Sequence, residues 1–341
     1  MKRTLPIVDS HLDLADNAIG LGRDLTLRAA EIRALEKRTG RQAMASLPEL
    51  RRGGIAVVFA TVTEGLMGRK SPRSPDQAEA SALAHIDLYE TWQKRGLVRL
   101  VKSVADLEHH LQLWRSDRKP GLVMLMEGAS PILDVRDLPK WWQRGVRIVG
   151  LTWSNTRYGT GVGGGDTDAK PGGLTPEGVA LLSEMAELGF IWDISHLAEE
   201  GVRQGLETQF ARVCASHANA RALTPTNRHL SDDVIRAIGE RDGVIGVVLC
   251  NAFLDMRFDE DKSIPVTLDR VRLHAEYIAN LAGWEHVGIG SDLDGGFGLE
   301  ESPAEIETVA DLHKIAFVLP PHAREAVLST NWLDFLRRSL P

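Results

Sequence analysis

Eight apolar runs of strand length recur along this chain, and each is separated from the next by a stretch with helical signals. They fall at residues 7–13, 54–62, 121–127, 146–153, 190–196, 212–217, 243–250 and 286–292. Near-continuous apolar strands belong to parallel sheets covered on both faces, because a strand with one wet face alternates instead. The stretches between carry helix starts. Ser74-Pro-Asp has a cap and an acidic first turn, Ser103-Val-Ala-Asp reads as a capping box, and Thr175-Pro-Glu, Ser231-Asp-Asp and Thr267-Leu-Asp follow the same grammar. Eight strands alternating with helices over 341 residues predict an α/β chain folded as a (β/α)8 TIM barrel, one domain spanning 1–341. A doubly wound open sheet is the alternative, but no glycine fingerprint for a dinucleotide follows the first strand. Two connections exceed ordinary loop length. Residues 20–52 predict a helical insertion around 27–38. Residues 154–174 form a Gly-rich loop after the fourth strand that reads equally as surface loop or as a lid over a site. No Gly-Lys-Ser/Thr follows that loop, which excludes a Walker A phosphate cradle.

Composition narrows the function classes. A formal net charge of −7 argues against a nucleic-acid partner. Cys214 and Cys250 both sit in apolar runs, so they are expected to be reduced and buried. Asp9 and His11 interrupt the apolar stretch behind a basic N-terminus, unlike a signal peptide, and no window is long and apolar enough to span a membrane. The expected setting is the cytoplasm, with a small-molecule partner and no membrane partner.

The chemistry lies at the strand ends. In a barrel of this kind the active site forms at the C-terminal ends of the strands. Those ends present His11 and Asp13, Glu127, Trp153, His196, His217 and Asp292. His11 and Asp13 are two apart on a strand and so point the same way. Six of these seven residues are metal ligands or proton-transfer groups by chemistry. Taken singly, a histidine such as His196 is more often a satisfied polar residue, but the set on one face predicts metal. Glu127 has two oxygens and can bridge two ions, one with His11 and Asp13, the other with His196 and His217. Nitrogen and carboxylate ligands without cysteine suit Zn2+, with manganese or cobalt as substitutes. Asp292 is left over and fits a general base and acid, although Ser291-Asp-Leu-Asp-Gly is also good turn sequence.

In this order the motifs resemble the membrane (renal) dipeptidase family of binuclear zinc peptidases, among the amidohydrolase-like barrels. The resemblance runs from Val8 to about Leu336. It is carried by Asp9-Ser-His-Leu-Asp, Met126-Glu-Gly-Ala, Gly145-Val-Arg-Ile-Val-Gly-Leu-Thr, Gly173-Leu-Thr-Pro-Glu-Gly, Asp193-Ile-Ser-His, Ser216-His-Ala-Asn, Asn227-Arg-His-Leu-Ser-Asp-Asp and Gly288-Ile-Gly-Ser-Asp-Leu-Asp-Gly. It implies zinc ligation by His11, Asp13, Glu127, His196 and His217, with Asp292 as the proton-transfer residue. It adds Arg228 as the residue binding the substrate's C-terminal carboxylate, where the residues alone suggest a solvated loop charge. The implied reaction is hydrolysis of a dipeptide, including one with a C-terminal D-residue. The alternative is another metal amidohydrolase on the same barrel, such as a lactonase, cyclic amidase or deaminase.

The chain also departs from the family. Trp153 stands where renal-type members carry a histidine that hydrogen-bonds the scissile carbonyl. An indole N–H donates one hydrogen bond and cannot carry a proton. Polarisation is then expected from metal or from Asn155, Arg157 or Tyr158, which puts Trp153, Asn155 and Tyr158 among the substrate-binding candidates. The renal-type cysteines are absent, so covalent dimerisation does not carry over and a non-covalent homodimer stays open.

Overall fold

The computed structural model describes residues 5–36, 41–65, 74–163, 172–208, 210 and 212–341. Its strands are β1 (Ile7–Leu12), β2 (Ile55–Thr63), β3 (Arg99–Leu100), β4 (Gly121–Glu127), β5 (Val146–Gly150), β6 (Ile191–Asp193), β7 (Val213–Cys214), β8 (Ile245–Val247) and β9 (Val287–Ile289). All pairings between them are parallel, in the order β1-β2-β4-β5-β6-β7, with β8 on β9. Single contacts join the remaining edges. Ala215 bridges to Ile245, and Gly246 N donates to Ala215 O at 2.8 Å, which ties β7 to β8. Asp292 N donates to His11 O at 3.1 Å, which brings the end of β9 back to β1. The curled parallel sheet is the predicted barrel, and its eight staves fall on the eight apolar runs. β3 is the addition. It is a two-residue strand that pairs with the start of β4 and is too short to stand out as a run.

Burial follows from the strand sequences. Every residue of Ile55–Thr63 and Gly121–Glu127 is buried, as covered parallel strands require. Alternation divides them between two cores. Val58, Ala60, Leu122 and Met124 join the layer of surrounding helices. Val57, Phe59, Val123 and Leu125 join a second cluster with Trp114, Trp332 and Phe335. The helices Val104–Asp117 and Asn331–Ser339 supply that cluster. They cover the N-terminal strand ends, where His110 Nε2 bonds Ala56 O at 2.8 Å and Trp332 meets Phe59 edge-on at 5.0 Å. The opposite end is left for the site.

The expected insertion after β1 contains helices Ala29–Leu35 and Leu47–Gly53, while residues 37–38 of the expected helix lie outside the described residues. The Gly-rich loop is tied at both flanks by antiparallel bridges, Gly159 to Leu174 and Gly161 to Leu197. Of the 154–174 stretch read as surface loop or lid, residues 164–171 also lie outside. Ser74, Ser103 and Thr175 cap their helices as expected. At Ser103 the box is only half made, because Asp106 takes Lys102 N instead of Ser103 N. Ser231 and Thr267 make no side-chain cap, and the Ser231 hydroxyl is turned to Glu199. Cys214 and Cys250 are free and buried. Among the described residues, no helix is long and apolar enough to cross a membrane.

Gly246 and Gly290 make room for the backbone under the site. A Cβ at Gly290 would run into the Ser216 carbonyl oxygen and lie 2.8 Å from Ser10 Oγ. Ser10 Oγ shares its one proton between that same carbonyl at 2.6 Å and Ile289 O at 2.9 Å, so neither neighbour can yield. Gly290→Ala should therefore destabilise by about 3 kcal/mol or more, above the usual overpacking range, as read by denaturant midpoint.

Candidate active site

Six residues from five strand ends converge at the open end of the barrel. β1 delivers His11 on the strand and Asp13 just beyond it, and β4 ends on Glu127. His196 follows β6, His217 follows β7 and Asp292 follows β9. All six are buried. His196 and Asp292 leave their strands with φ of 65° and 58°, a left-handed backbone that non-glycine residues seldom adopt. Such strain gathers where a side chain must be aimed, and here both side chains reach the same cluster.

Glu127 is central. Its Oε1 lies 3.5 Å from His11 Nε2, 3.2 Å from His196 Nε2 and 3.7 Å from His217 Nε2. His11 Nε2 is also 3.8 Å from Asp13 Oδ1 and 3.8 Å from Asp292 Oδ1. Three groups of potential ligand atoms lie within 4.8 Å of one another: His11, Asp13 and Glu127; Glu127, His196 and His217; and His11, His217 and Asp292. The first two are the predicted half-sites. The third places Asp292 beside both.

The arrangement fits a cation. His196 Nδ1 lies 2.8 Å from Val162 O, which only accepts, so that nitrogen carries the proton. The lone pair on His196 Nε2 then faces Glu127 Oε1 and, at 2.9 Å, His217 Nε2. Electron-rich atoms gathered in a buried space need a positive charge between them. His11 Nε2 and Glu127 Oε2 are buried with no hydrogen-bond partner, as ligand atoms would be.

The sequence profile of the membrane dipeptidase family (peptidase family M19) matches residues 1–332. The chain belongs to the membrane dipeptidase family. That makes it a metal-dependent dipeptidase. Among its relatives, an uncharacterized protein from the pqqA 5′ region of Klebsiella pneumoniae is 34% identical over 252 residues, which is 71% of this chain and 89% of that protein. Dipeptidase aclJ of Aspergillus oryzae is 28% identical over 275 residues, 77% of this chain and 61% of that one. Two solved structures superpose along nearly all of both chains. One is a Rhodobacter sphaeroides metallo peptidase liganded with a phosphinate mimic of the dipeptide L-Ala-D-Ala, with 25% identity, a TM-score of 0.79, and coverage of 98% of this chain and 99% of that one. The other is the M19 dipeptidase AC, with 26% identity, a TM-score of 0.80 and 99% of each chain.

The electrostatics of this dipeptidase's own side chains point the same way. Burial pushes the Asp13 carboxyl up, the Glu127 charge adds to it, and the result is about 7. Burial also pushes Asp292 well above the usual carboxylate range, with Asp13 and Glu127 adding and His11 and Arg228 opposing. Glu127 is pushed up by burial too, but the charge and hydrogen bonding of His11 and His196 outweigh it, and the carboxyl is held well below the usual range. His11 feels burial downward, yet the surrounding carboxylates, Glu127 first, raise it to about 10. His196 and His217 are both pushed down, by burial first and then by nearby positive charge, Arg228 included. The His11 proton thus supplies part of the positive charge that a divalent cation would supply more fully.

Arg228 lies in the loop after β7 and is buried, contrary to the reading as a solvated loop charge. Its Nη2 donates to His217 O at 2.8 Å and lies 3.2 Å from His196 Nε2, while Nε and Nη1 have no partner. Trp153 comes to the site, its ring 5.9 Å from that of His196. Asn155 is exposed, and its Oδ1 accepts from Gly161 N at 3.1 Å, which shapes the loop. Tyr158 is fully buried and donates its hydroxyl to Ile132 O at 2.6 Å. Arg157 is exposed and bonds Leu133 O. Asn155, Arg157 and Tyr158 thus each hold part of the loop, while Trp153 lies beside the candidate ligand His196.

Sequence reasoning missed the residues that hold the candidate ligands. Thr61 donates to Asp13 Oδ1 at 2.5 Å. Asp9 accepts from Ser291 N at 2.8 Å and Ser291 Oγ at 2.5 Å, and Asp193 accepts from Ser216 N at 2.9 Å and Ser216 Oγ at 2.5 Å. Each aspartate clamps the serine that precedes a site residue, Asp292 in one case and His217 in the other. The available signal was an acid on a buried strand shortly before a ligand histidine, as in Asp9-Ser-His and Asp193-Ile-Ser-His.

Proposed function

We propose that this enzyme is a binuclear zinc dipeptidase that reads the free carboxylate of its substrate with Arg228. The ions would be held by His11, Asp13 and Glu127 on one side and by Glu127, His196 and His217 on the other. When bound, they supply Lewis acidity toward the scissile carbonyl and toward the attacking water. Asp292 faces the cluster and takes the proton of that water, then returns it to the leaving amine. Trp153 offers a flat wall and one indole N–H, which can donate a hydrogen bond to the carbonyl but cannot transfer a proton. We read residues 1–341 as one barrel domain, supported by buried clusters that run from Ile7 to Leu340. A cytoplasmic setting is supported by two buried free cysteines.

One observation carries the substrate reading. A buried guanidinium anchored through one nitrogen leaves Nε and Nη1 unpartnered beside the cluster. An unpaired buried donor is costly, so the site is built for an acceptor, and a carboxylate matches the guanidinium fork. The L-Ala-D-Ala mimic in the Rhodobacter sphaeroides relative supports a dipeptide that tolerates a C-terminal D-residue.

Arg228→Ala should cost roughly ten- to a hundred-fold in kcat/KM, the value of a charged bidentate pair of about 1.5–3 kcal/mol. The loss should appear with free L,L- and L,D-dipeptides and shrink with their C-terminal amides. Arg228→Lys should recover only part, because an ammonium cannot make the fork. If the wild type cleaves amides or lactones as well as free dipeptides, the carboxylate is not being read and this role for Arg228 is wrong.

A further inference from the structure

We propose that Ser216 is a positioning residue whose single hydroxyl orients His11 and His217 together, so that the two halves of the metal cluster are set by one group. The proposal rests on reading both histidines as ligands. Ser216 Oγ lies 2.5 Å from Asp193 Oδ2, 2.9 Å from His217 Nδ1 and 3.1 Å from His11 Nδ1. All four residues are buried. A hydroxyl has one proton and two lone pairs. The Asp193 carboxylate only accepts, and its other oxygen already takes Ser195 N at 3.0 Å and Ser216 N at 2.9 Å, so the Ser216 proton points to Oδ2. Two lone pairs remain, and two imidazole nitrogens face them. Both histidines must therefore carry hydrogen on Nδ1. Ser195 Oγ, at 3.4 Å, is at the limit of bonding distance and too far to displace either ring.

The consequence is directional. With Nδ1 held, Nε2 of His11 and Nε2 of His217 both turn toward Glu127, at 3.5 Å and 3.7 Å. The rings lie 3.7 Å apart between centroids, tilted by 37°, which brings both edges within reach of one hydroxyl. A partner on the far nitrogen of a ligand histidine fixes its tautomer and its aim. Ordinarily each ligand has its own partner, and His196 does, in the Val162 carbonyl. His11 and His217 belong to different half-sites and share theirs. The loss of Ser216 should therefore be felt at both half-sites, whereas loss of an ordinary partner is felt at one.

Two measurements test this on the full chain. Zinc titration of the metal-stripped protein by calorimetry should show two binding events in the wild type. Ser216→Ala should weaken both by roughly 10–100-fold, the usual cost of removing a ligand's partner. An effect on one event alone, or on neither, overturns the shared role. Ring nitrogen-15 spectra of the zinc-loaded wild type need no variant to fold. They should show protonated Nδ1 and metal-shifted Nε2 on both His11 and His217. A metal-shifted Nδ1 on either ring overturns the proposal while leaving that residue a ligand. If neither ring shows a metal shift at either nitrogen, the ligand reading itself is wrong and the proposal falls with it.

Discussion

Asp292→Asn should lower kcat by roughly 10²–10⁴ while leaving the metal content and the fold unchanged, because it removes proton transfer and little else. The carboxyl lies beside the candidate metal ligands. Asp292 Oδ1 is 3.8 Å from His11 Nε2, and the residue shares a ligand-sized cluster with His11 and His217. Its backbone is anchored independently of the side chain. Asp292 N donates to His11 O, and the preceding Ser291 is clamped by Asp9 through both its amide and its hydroxyl. An amide of the same shape should therefore sit in the same place. Burial and two neighbouring carboxylates favour the protonated form, while His11 and Arg228 favour the charged one. Burial wins, so the carboxyl holds a proton more firmly than an ordinary carboxylate, which suits a group that takes a proton and returns it, and asparagine can do neither. The check is kcat with saturating dipeptide alongside elemental analysis of the same preparation. If the variant loses an ion, Asp292 is a ligand, in keeping with its grouping with His11 and His217.

The fold was legible because parallel strands covered on both sides have little freedom in composition. Ile55–Thr63 and Gly121–Glu127 are apolar along almost their whole length, so the staves showed as runs. β3 did not, since two residues carry no periodicity. That the candidate site residues come together was legible for a geometric reason: a barrel collects its strand ends in one place, so chemistry scattered from residue 11 to residue 292 becomes local. The supporting shell was less legible. Ser216, Thr61 and Asp193 look like ordinary polar residues in the sequence, and only their placement shows that the Ser216 and Thr61 hydroxyls face candidate ligands while the Asp193 carboxylate holds Ser216. Arg228 was misjudged without the resemblance because loop charges are usually solvated, whereas this one folds back under β7 to reach His217 O. Tyr158 and Asn155 show the reverse case. Their position after a strand end suggested the site, yet both are used to hold the loop.

Glu127→Ala should abolish activity and reduce bound metal well below the wild-type content, the largest loss expected from any single side chain here. The reason is that Glu127 belongs to both predicted half-sites and no other residue does. Its Oε1 is the common neighbour of three imidazole Nε2 atoms, and its Oε2 is buried without a partner. Alanine removes both oxygens at once and leaves His11 facing only Asp13 and Asp292. Glu127→Gln is the informative companion. It keeps the volume and one carbonyl oxygen but loses the charge and one of the two acceptors, so one half-site should survive better than the other. Elemental analysis of protein purified without chelator should then approach two ions per chain for wild type, near one for the glutamine variant and less for the alanine variant. The alanine variant should remain folded, since the carboxylate is not part of the apolar core and its strand neighbours Leu125 and Met126 are untouched. Thermal melts with and without added zinc would show this as a Tm that no longer rises with metal, because a ligand that binds only the native state stabilises in proportion to its affinity. An alanine variant that retains two ions, or a wild type fully active with one tightly bound ion, would rule out Glu127 as the bridge.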